Sequence, residues 1–264
     1  MRSGYWYHAT TQDFAGLDPA STVALLPVAA VEQHGPHLPL ATDALIAEAL
    51  VAAALERASA GLTVLALPTQ TIGASLEHTA FAGTLSIEYE TLLASWKQIG
   101  ANVARAGVRK LVILNTHGGQ RALVDLAAVS LRAAWQMLVV RANYFSFGMP
   151  PSLFDGDELA GDIHGGLVET SLMLHLYPEL VRKEALADFD GLPRALAGSR
   201  RWLGAEKPIG IGWMSQDLHP SGACGNAAAA DAARGARYFD YLGAALVGLL
   251  EEVAAAPIEL IDGR

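Results

Sequence analysis

A single cysteine, Cys224, stands in a chain of 264 residues. One thiol forms no intramolecular disulfide and builds no thiolate zinc knuckle, so any metal must be held by imidazole and carboxylate. A lone cysteine also suits a reducing cytoplasm, the expected location. Charge is sparse at 17%, with a net value of −9 and no block of lysine or arginine. Phosphate affinity needs clustered positive charge, so no nucleic-acid partner is expected. Long apolar runs are missing as well. The stretch Leu242 to Leu250 ends at Glu251-Glu252, too short to span a bilayer, and Met1 to His8 lacks the apolar core of a signal peptide. No membrane partner is expected either.

Apolar residues make up 52% of the chain. A chain of this size buries about 70–75% of its unfolded surface, so a metal is not needed merely to hold the fold. Thr22 to Val28 reads as a buried strand, and Asp43 to Ala58 as a helix that Asp43 also caps. Leu62 to Leu67 is a second strand ended by Pro68. Ser86 to Ala106 is a helix with Glu88 and Glu90 at its positive end, stopped by Gly107. Lys110 to Leu114 is the cleanest buried strand. The tight loop Asn115 to Gln120, a helix from Arg121 to Ala134 and a strand from Met137 to Ala142 follow. This alternation predicts an α/β fold, a mostly parallel central sheet with helices on both faces. Past Phe145 the pattern weakens to a loop over Met149–Gly161, a helix over Gly165–Tyr177, irregular loops over 188–225 and a final helix over Ala227–Ala254. With no internal repeat and no linker, residues 1–264 read as a single domain.

Candidate ligands gather in three segments. Glu32, His34 and Asp43 lie within twelve residues after the first strand, in a loop that Pro36 and Pro39 stiffen and Gly35 lets turn. His117 follows the strand ending at Leu114, and sites in open α/β sheets form beyond the carboxyl ends of strands. Asp43 is placed to bridge two ions, which at about 3.5–4 Å separation share a hydroxide and polarise a carbonyl. Gly118-Gly119 permits a sharp turn or close backbone approach to a ligand. In the third segment, Asp162 to Ser171, His164 precedes a helix. Glu169 stands among Leu167, Val168, Leu172 and Met173, where a carboxylate is costly to bury unless paired or metal-bound. Imidazole and carboxylate suit Zn, Mn or Fe.

These segments carry a resemblance. LPVAAVEQHGPHLPLATD (Leu26–Asp43), NTHGGQ (Asn115–Gln120) and HGGLVETSLML (His164–Leu174) resemble the three signatures of the creatininase family of metal-dependent amidohydrolases. Gly73–Ser86 resembles the family's segment between the first two, and Pro220-Ser221-Gly222 with Gly225 its end. The resemblance implies two divalent metal ions per chain, a small-molecule amide substrate and a homo-oligomer, often a hexamer. It also implies that a metal-bridging hydroxide attacks the amide carbonyl. Position by position, Glu32 and His117 would bind one ion, His34 the other, and Asp43 would bridge them. His164 would pass a proton to the leaving nitrogen, and Ser75 and His78 would lie near the substrate.

Creatinine-hydrolysing members carry Tyr-Glu where this chain has Gly118-Gly119, and that glutamate binds metal. Glu169 is the expected replacement, as ligand or base. Those members also place a tryptophan and an acidic residue just before the third signature's histidine, where this chain has Ala160 and Gly161. Creatinine is therefore a poor expectation as substrate. Gly-Gly members are similar in acting on other amides: a formamide, or the peptide bond cut in mycofactocin maturation; a related member opens a cyclic sugar derivative. The remaining alternatives are creatinine amidohydrolase proper and an inactive member that only binds metal. A flavodoxin-like nucleotide binder is disfavoured, since no phosphate-cradling glycine loop follows the first strand. His37 is expected to be structural, Cys224 a bystander, and His8, His175 and His219 without a catalytic part. Trp202 and Trp213 are candidate pocket walls.

Overall fold

The computed structural model describes residues 3–260 except 157, 160, 198 and 199, so the expectation at Ala160 lies outside the described residues. In chain order the elements are β1 (Gly4–Tyr5), α1 (Thr11–Ala15), β2 (Thr22–Val28), α2 (Thr42–Arg57), β3 (Thr63–Ala66), α3 (Tyr89–Arg105), β4 (Lys110–Asn115), α4 (Arg121–Trp135) and β5 (Leu138–Asn143). They continue with α5 (Leu167–Leu176), β6 (Asp188–Phe189), α6 (Leu192–Ala197), α7 (Ser215–Leu218), β7 (Gly225–Asn226) and α8 (Ala232–Ala255). Strands β1 to β5 form one parallel sheet in the order β1-β3-β2-β4-β5.

The core follows from the two-residue period of a strand. In β2, Val23 and Leu25 face the layer of α2, α5 and α8, while Ala24, Leu26 and Val28 face α3 and α4. In β4, Val112 and Leu114 take the first side, Leu111 and Ile113 the second. Both faces are covered, which is why these runs are apolar without alternation. β4 is registered with β2 from Val23↔Lys110 to Val28↔Asn115, so the two strands carrying most of the site end side by side. Among the described residues no helix is long and apolar enough to cross a membrane.

Several boundaries depart from expectation. Helix α3 begins at Tyr89 rather than Ser86, because the Ser86 hydroxyl instead accepts the Ser75 N–H at 2.9 Å. Asp43 does not cap α2; the helix starts at Thr42, and the carboxylate turns to His34 and His117. Helix α8 starts at Ala232, where Asp231 accepts the Ala233 N–H at 2.7 Å, and Ala227–Ala229 forms a separate short turn. Residues 188–225 are not uniformly irregular: β6 pairs antiparallel with β7, and Cys224 bonds backbone to backbone with His164. Such short pieces carry no periodicity that a sequence window detects.

Asp162 organises the start of α5, accepting the N–H groups of Leu167 at 2.6 Å and Val168 at 3.1 Å. Burial raises its carboxyl to about 6, against those two hydrogen bonds. The folded protein thus holds this proton more tightly than the unfolded chain. Its contribution favours folding below about pH 4 and is lost as pH rises through about 6. Metal-free wild type should therefore lose stability relative to Asp162→Asn across that window. The upper bound is about 3 kcal/mol, reduced by screening because the residue is only partly buried. Urea denaturation of both proteins at pH 4 and pH 7 reads this out; a difference independent of pH contradicts it.

Candidate metal centre

The chain leaves β2 in extended form and turns at Gly35, whose φ is +72° and whose hydrogen faces the Ala223 methyl. Glu32 and His34 are fully buried just before this turn. His34 donates Nδ1–H to the Glu32 carbonyl at 3.0 Å. A carbonyl only accepts, so this nitrogen carries the proton and Nε2 presents its lone pair. That lone pair faces Asp43 Oδ1 at 3.4 Å and Glu169 Oε2 at 3.9 Å. His117, at the end of β4, is anchored in the same manner through Nε2–H to the Ala74 carbonyl at 2.9 Å. Its Nδ1 lone pair faces Glu32 Oε1 at 3.1 Å and Asp43 Oδ2 at 3.5 Å.

Besides the trio Glu32–His34–His164, two ligand trios result, Glu32–Asp43–His117 and His34–Asp43–Glu169, each with one ligand atom per residue and those atoms within 4.8 Å of one another. Asp43 belongs to both and sends one oxygen to each. Both oxygens of Glu32, Nε2 of His34 and Oδ2 of Asp43 are buried without a hydrogen-bond partner. With both imidazoles neutral, lone pairs facing lone pairs in a dry interior are costly unless a cation, either a proton or a metal ion, lies between them. The electrostatics agree. Burial opposes charge on His34, yet Asp43, Glu169 and Glu32 push its pKa up to about 9. His117 is likewise raised, against burial, by Glu32 and Asp43. Burial and the Asp43 charge raise Glu169 to about 7, while His34 works to lower it. The field at the centre favours positive charge, and the oxygen and nitrogen donors fit divalent Zn, Mn or Fe. Backbone carbonyls holding the far nitrogens of both imidazoles are the outer support such ligands require.

Around this centre the other expected residues take distinct places. His164 donates Nε2–H to the Gln33 carbonyl at 2.6 Å, and its Nδ1 stands 3.8 Å from Glu32 Oε1. Burial and the charge of His34 hold its pKa down at about 4. The His78 tautomer is decided by Gln33. Gln33 Oε1 accepts the Gly35 N–H at 2.9 Å, so its amide NH₂ donates to the Gly222 carbonyl at 3.0 Å and to His78 Nδ1 at 2.7 Å. His78 therefore carries its hydrogen on Nε2, 3.3 Å from Glu32 Oε1. Gly222, with φ +82°, leaves room for the Gln33 amide; a Cβ there would lie 2.2 Å from Gln33 Oε1. Ser75 is fully buried and its hydroxyl has no partner. Gly118 and Gly119 are exposed at the rim.

Gln33 and Glu77 went unremarked in sequence, although each directly precedes a site histidine; that adjacency was the available signal. Glu77 Oε1 lies 3.6 Å from His117 Nε2, and its side chain is 12% exposed. Trp213 reaches the site, its ring 6.5 Å from His78 and its Nε1–H donating to Glu206 at 3.0 Å. Trp202 does not; it is 60% exposed, with the Arg201 guanidinium stacked on it. His37 stacks on Phe189 and pairs with the Thr170 hydroxyl at 3.0 Å, beside Glu169. His219 pairs with the Ser221 hydroxyl. Burial lifts the Cys224 thiol to about 12, which leaves it unreactive; only its backbone serves the site.

A family model described as creatininase, creatinine amidohydrolase, matches residues 7–250. The chain belongs to the creatininase family. It is 34% identical over 233 residues to the mycofactocin precursor peptide peptidase of Mycobacterium tuberculosis, covering 84% of this chain and 82% of that one. It is 35% identical over 182 residues to the creatinine amidohydrolase of Pseudomonas putida, covering 63% and 68%. A solved structure titled Creatininase Mn superposes with a TM-score of 0.76 at 25% identity, covering 97% of this chain and all of that one. This creatininase-family protein is thus an amidohydrolase with a mostly parallel sheet of the creatininase type.

Proposed function

We propose that the protein hydrolyses a small amide at a pair of divalent ions, held by Glu32, Asp43 and His117 on one side and by His34, Asp43 and Glu169 on the other. The observation that carries this reading is the facing of His34 Nε2 and His117 Nδ1 onto three carboxylates with Asp43 between them. Two such ions acidify water and polarise an amide carbonyl. The protein's own groups do the rest. Backbone carbonyls of Glu32 and Ala74 fix the imidazoles so that their lone pairs stay aimed. His164, neutral and anchored through Nε2–H, offers Nδ1 to take a proton and return it to the departing nitrogen. His78 Nε2–H and the Ser75 hydroxyl are the donors available to the substrate's oxygen. Exposed Gly118-Gly119 leaves the rim open for the substrate's bulk.

A peptide bond is the second reading of the substrate. It is favoured by relatives named mycofactocin precursor peptide peptidase and by the open glycine rim. Creatinine is disfavoured by Gly118-Gly119 and Gly161, where neither an aromatic nor an acidic side chain is present. The reading includes a cytoplasmic homo-oligomer, a hexamer by family resemblance.

The test is elemental analysis with a substrate screen. Purified protein is expected to hold two divalent ions per chain and to turn over a formamide, lactam or short peptide. Chelation is expected to abolish that turnover and added metal to restore it. Hydrolysis indifferent to chelation, or a chain that takes up no metal, sinks the two-ion reading.

A further inference from the structure

The end of β4 and the loop after it carry two buried amides besides the ligand histidine. Asn115 and Gln120 are both fully buried, where an unpaired amide is costly. Every polar atom of the two has a partner, and the partners fix which end of each amide points where. The His117 N–H donates to Asn115 Oδ1 at 3.1 Å, so the Asn115 NH₂ donates to the His117 carbonyl and to Asn143 Oδ1, each at 2.8 Å. Gln120 donates from Nε2 to Asn115 Oδ1 at 2.9 Å and to the Ala29 carbonyl at 3.3 Å. Its Oε1 accepts the Ala74 N–H at 3.4 Å.

These bonds close a circuit on a single residue. It leaves the His117 backbone N–H and passes through Asn115 Oδ1 and the Gln120 amide to Ala74. It returns to the His117 ring, whose Nε2–H is held by the Ala74 carbonyl at 2.9 Å. Backbone and ring tip are thus fixed against each other, and Nδ1 is left facing Glu32 and Asp43. The bond that holds the His34 ring is local instead, to the carbonyl two residues before it. Room for the Gln120 amide is made by Gly73, where a Cβ would lie 2.5 Å from Gln120 Oε1 and 2.5 Å from the Ala29 carbonyl oxygen.

We propose that Gln120 is a positioning residue for the ion held by Glu32, Asp43 and His117, acting on the ligand histidine through Asn115 and Ala74. The proposal rests on the two-ion reading and deepens it. A ligand imidazole binds tightly when an outer partner sets its tautomer and ring orientation. Here that partner is a backbone carbonyl, which is only as steady as the loop that carries it. Gln120 ties that loop to Asn115, the last residue of a strand buried along its whole length. Among the described residues, neither His34 nor Glu169 bonds to Gln120, Asn115 or Ala74, so the influence of Gln120 falls on one ion.

Calorimetric titration of metal-free protein with Mn²⁺, wild type against Gln120→Met, tests this without reference to substrate. Methionine keeps the length of the side chain and removes every hydrogen bond of the amide. Wild type is expected to bind two ions. The variant should bind one with wild-type affinity and the other about 10–100-fold more weakly, the scale on which outer supports of a metal act. On a His117→Ala background the same substitution should cost nothing further in metal affinity, because its route to the ion is gone. A further loss there overturns the route through His117. Two dissociation constants within about twofold of wild type overturn the assignment, and so do two that weaken together, which a merely structural amide would give. Should Gln120→Met fail to fold, Gln120→Asn carries the same test, because its amide is one methylene too short to span Asn115 and Ala74; unchanged affinities there overturn it equally. Wild type binding fewer than two ions is a different failure, of the two-ion reading itself.

Discussion

Asp43→Asn is expected to strip the protein of both ions and to lower amide hydrolysis by at least about a thousandfold. Asp43 is the one side chain common to both ligand trios, with Oδ1 3.4 Å from His34 and Oδ2 3.5 Å from His117. Asparagine keeps the shape but replaces one anionic oxygen with an NH₂ that only donates. One trio then loses a ligand and the other loses charge. Lewis-acid stabilisation by a bound ion is worth several kcal/mol, and each 1.4 kcal/mol is about a factor of ten in rate. The fold should survive, because the carboxylate of Asp43 does not cap α2 and leaves the helix start to Thr42. Metal content, hydrolysis rate and thermal unfolding of the metal-free variant decide the matter together. Retention of two ions with near-normal rate would show that Asp43 does not bridge them.

His164→Ala is expected to lower turnover by about 10²–10⁴-fold while leaving both ions in place, the range for removal of a positioned acid or base. The ring is buried between His34 and His78, with centroids 4.2 and 4.3 Å away, and is oriented by the Gln33 carbonyl. Alanine deletes the proton carrier and leaves the ligand trios of Asp43 untouched. His164 also forms a possible ligand group with Glu32 and His34. Loss of one ion in the variant would therefore make it a ligand rather than a proton carrier. A substrate with a better leaving group should recover part of the lost rate, because its nitrogen needs less help from a proton. A variant equally slow on both substrates argues against the shuttle.

The alternation of apolar runs was enough for the parallel sheet. Thr22–Val28 and Lys110–Asn115 are buried along their whole length, and a strand covered on both faces has no choice but continuous hydrophobicity. The elements missed were the ones too short to hold a period: β1, α1, the short helices α6 and α7, and the β6–β7 pair. The helix starts expected at Ser86 and Ala227 lie three and five residues early, because polar and alanine-rich residues next to a helix look helical until a tertiary partner claims them. Ser86 was claimed by the Ser75 backbone.

The candidate ligands were legible one by one, since Glu32, His34, Asp43, His117, His164 and Glu169 are unusual types in apolar surroundings and follow strand ends or a helix start. Their chemistry as oxygen and nitrogen donors, and the exclusion of a thiolate site, needed no coordinates. Which atom of each residue faces which neighbour was decided only by the folded chain, because a histidine's free nitrogen depends on the carbonyl that holds the other one. Tertiary packing alone also joined Gln120 to Gly73, 47 positions apart by their numbers. A residue's type is local information, whereas the emptiness left by a missing Cβ acquires meaning only from whatever the fold brings to fill it.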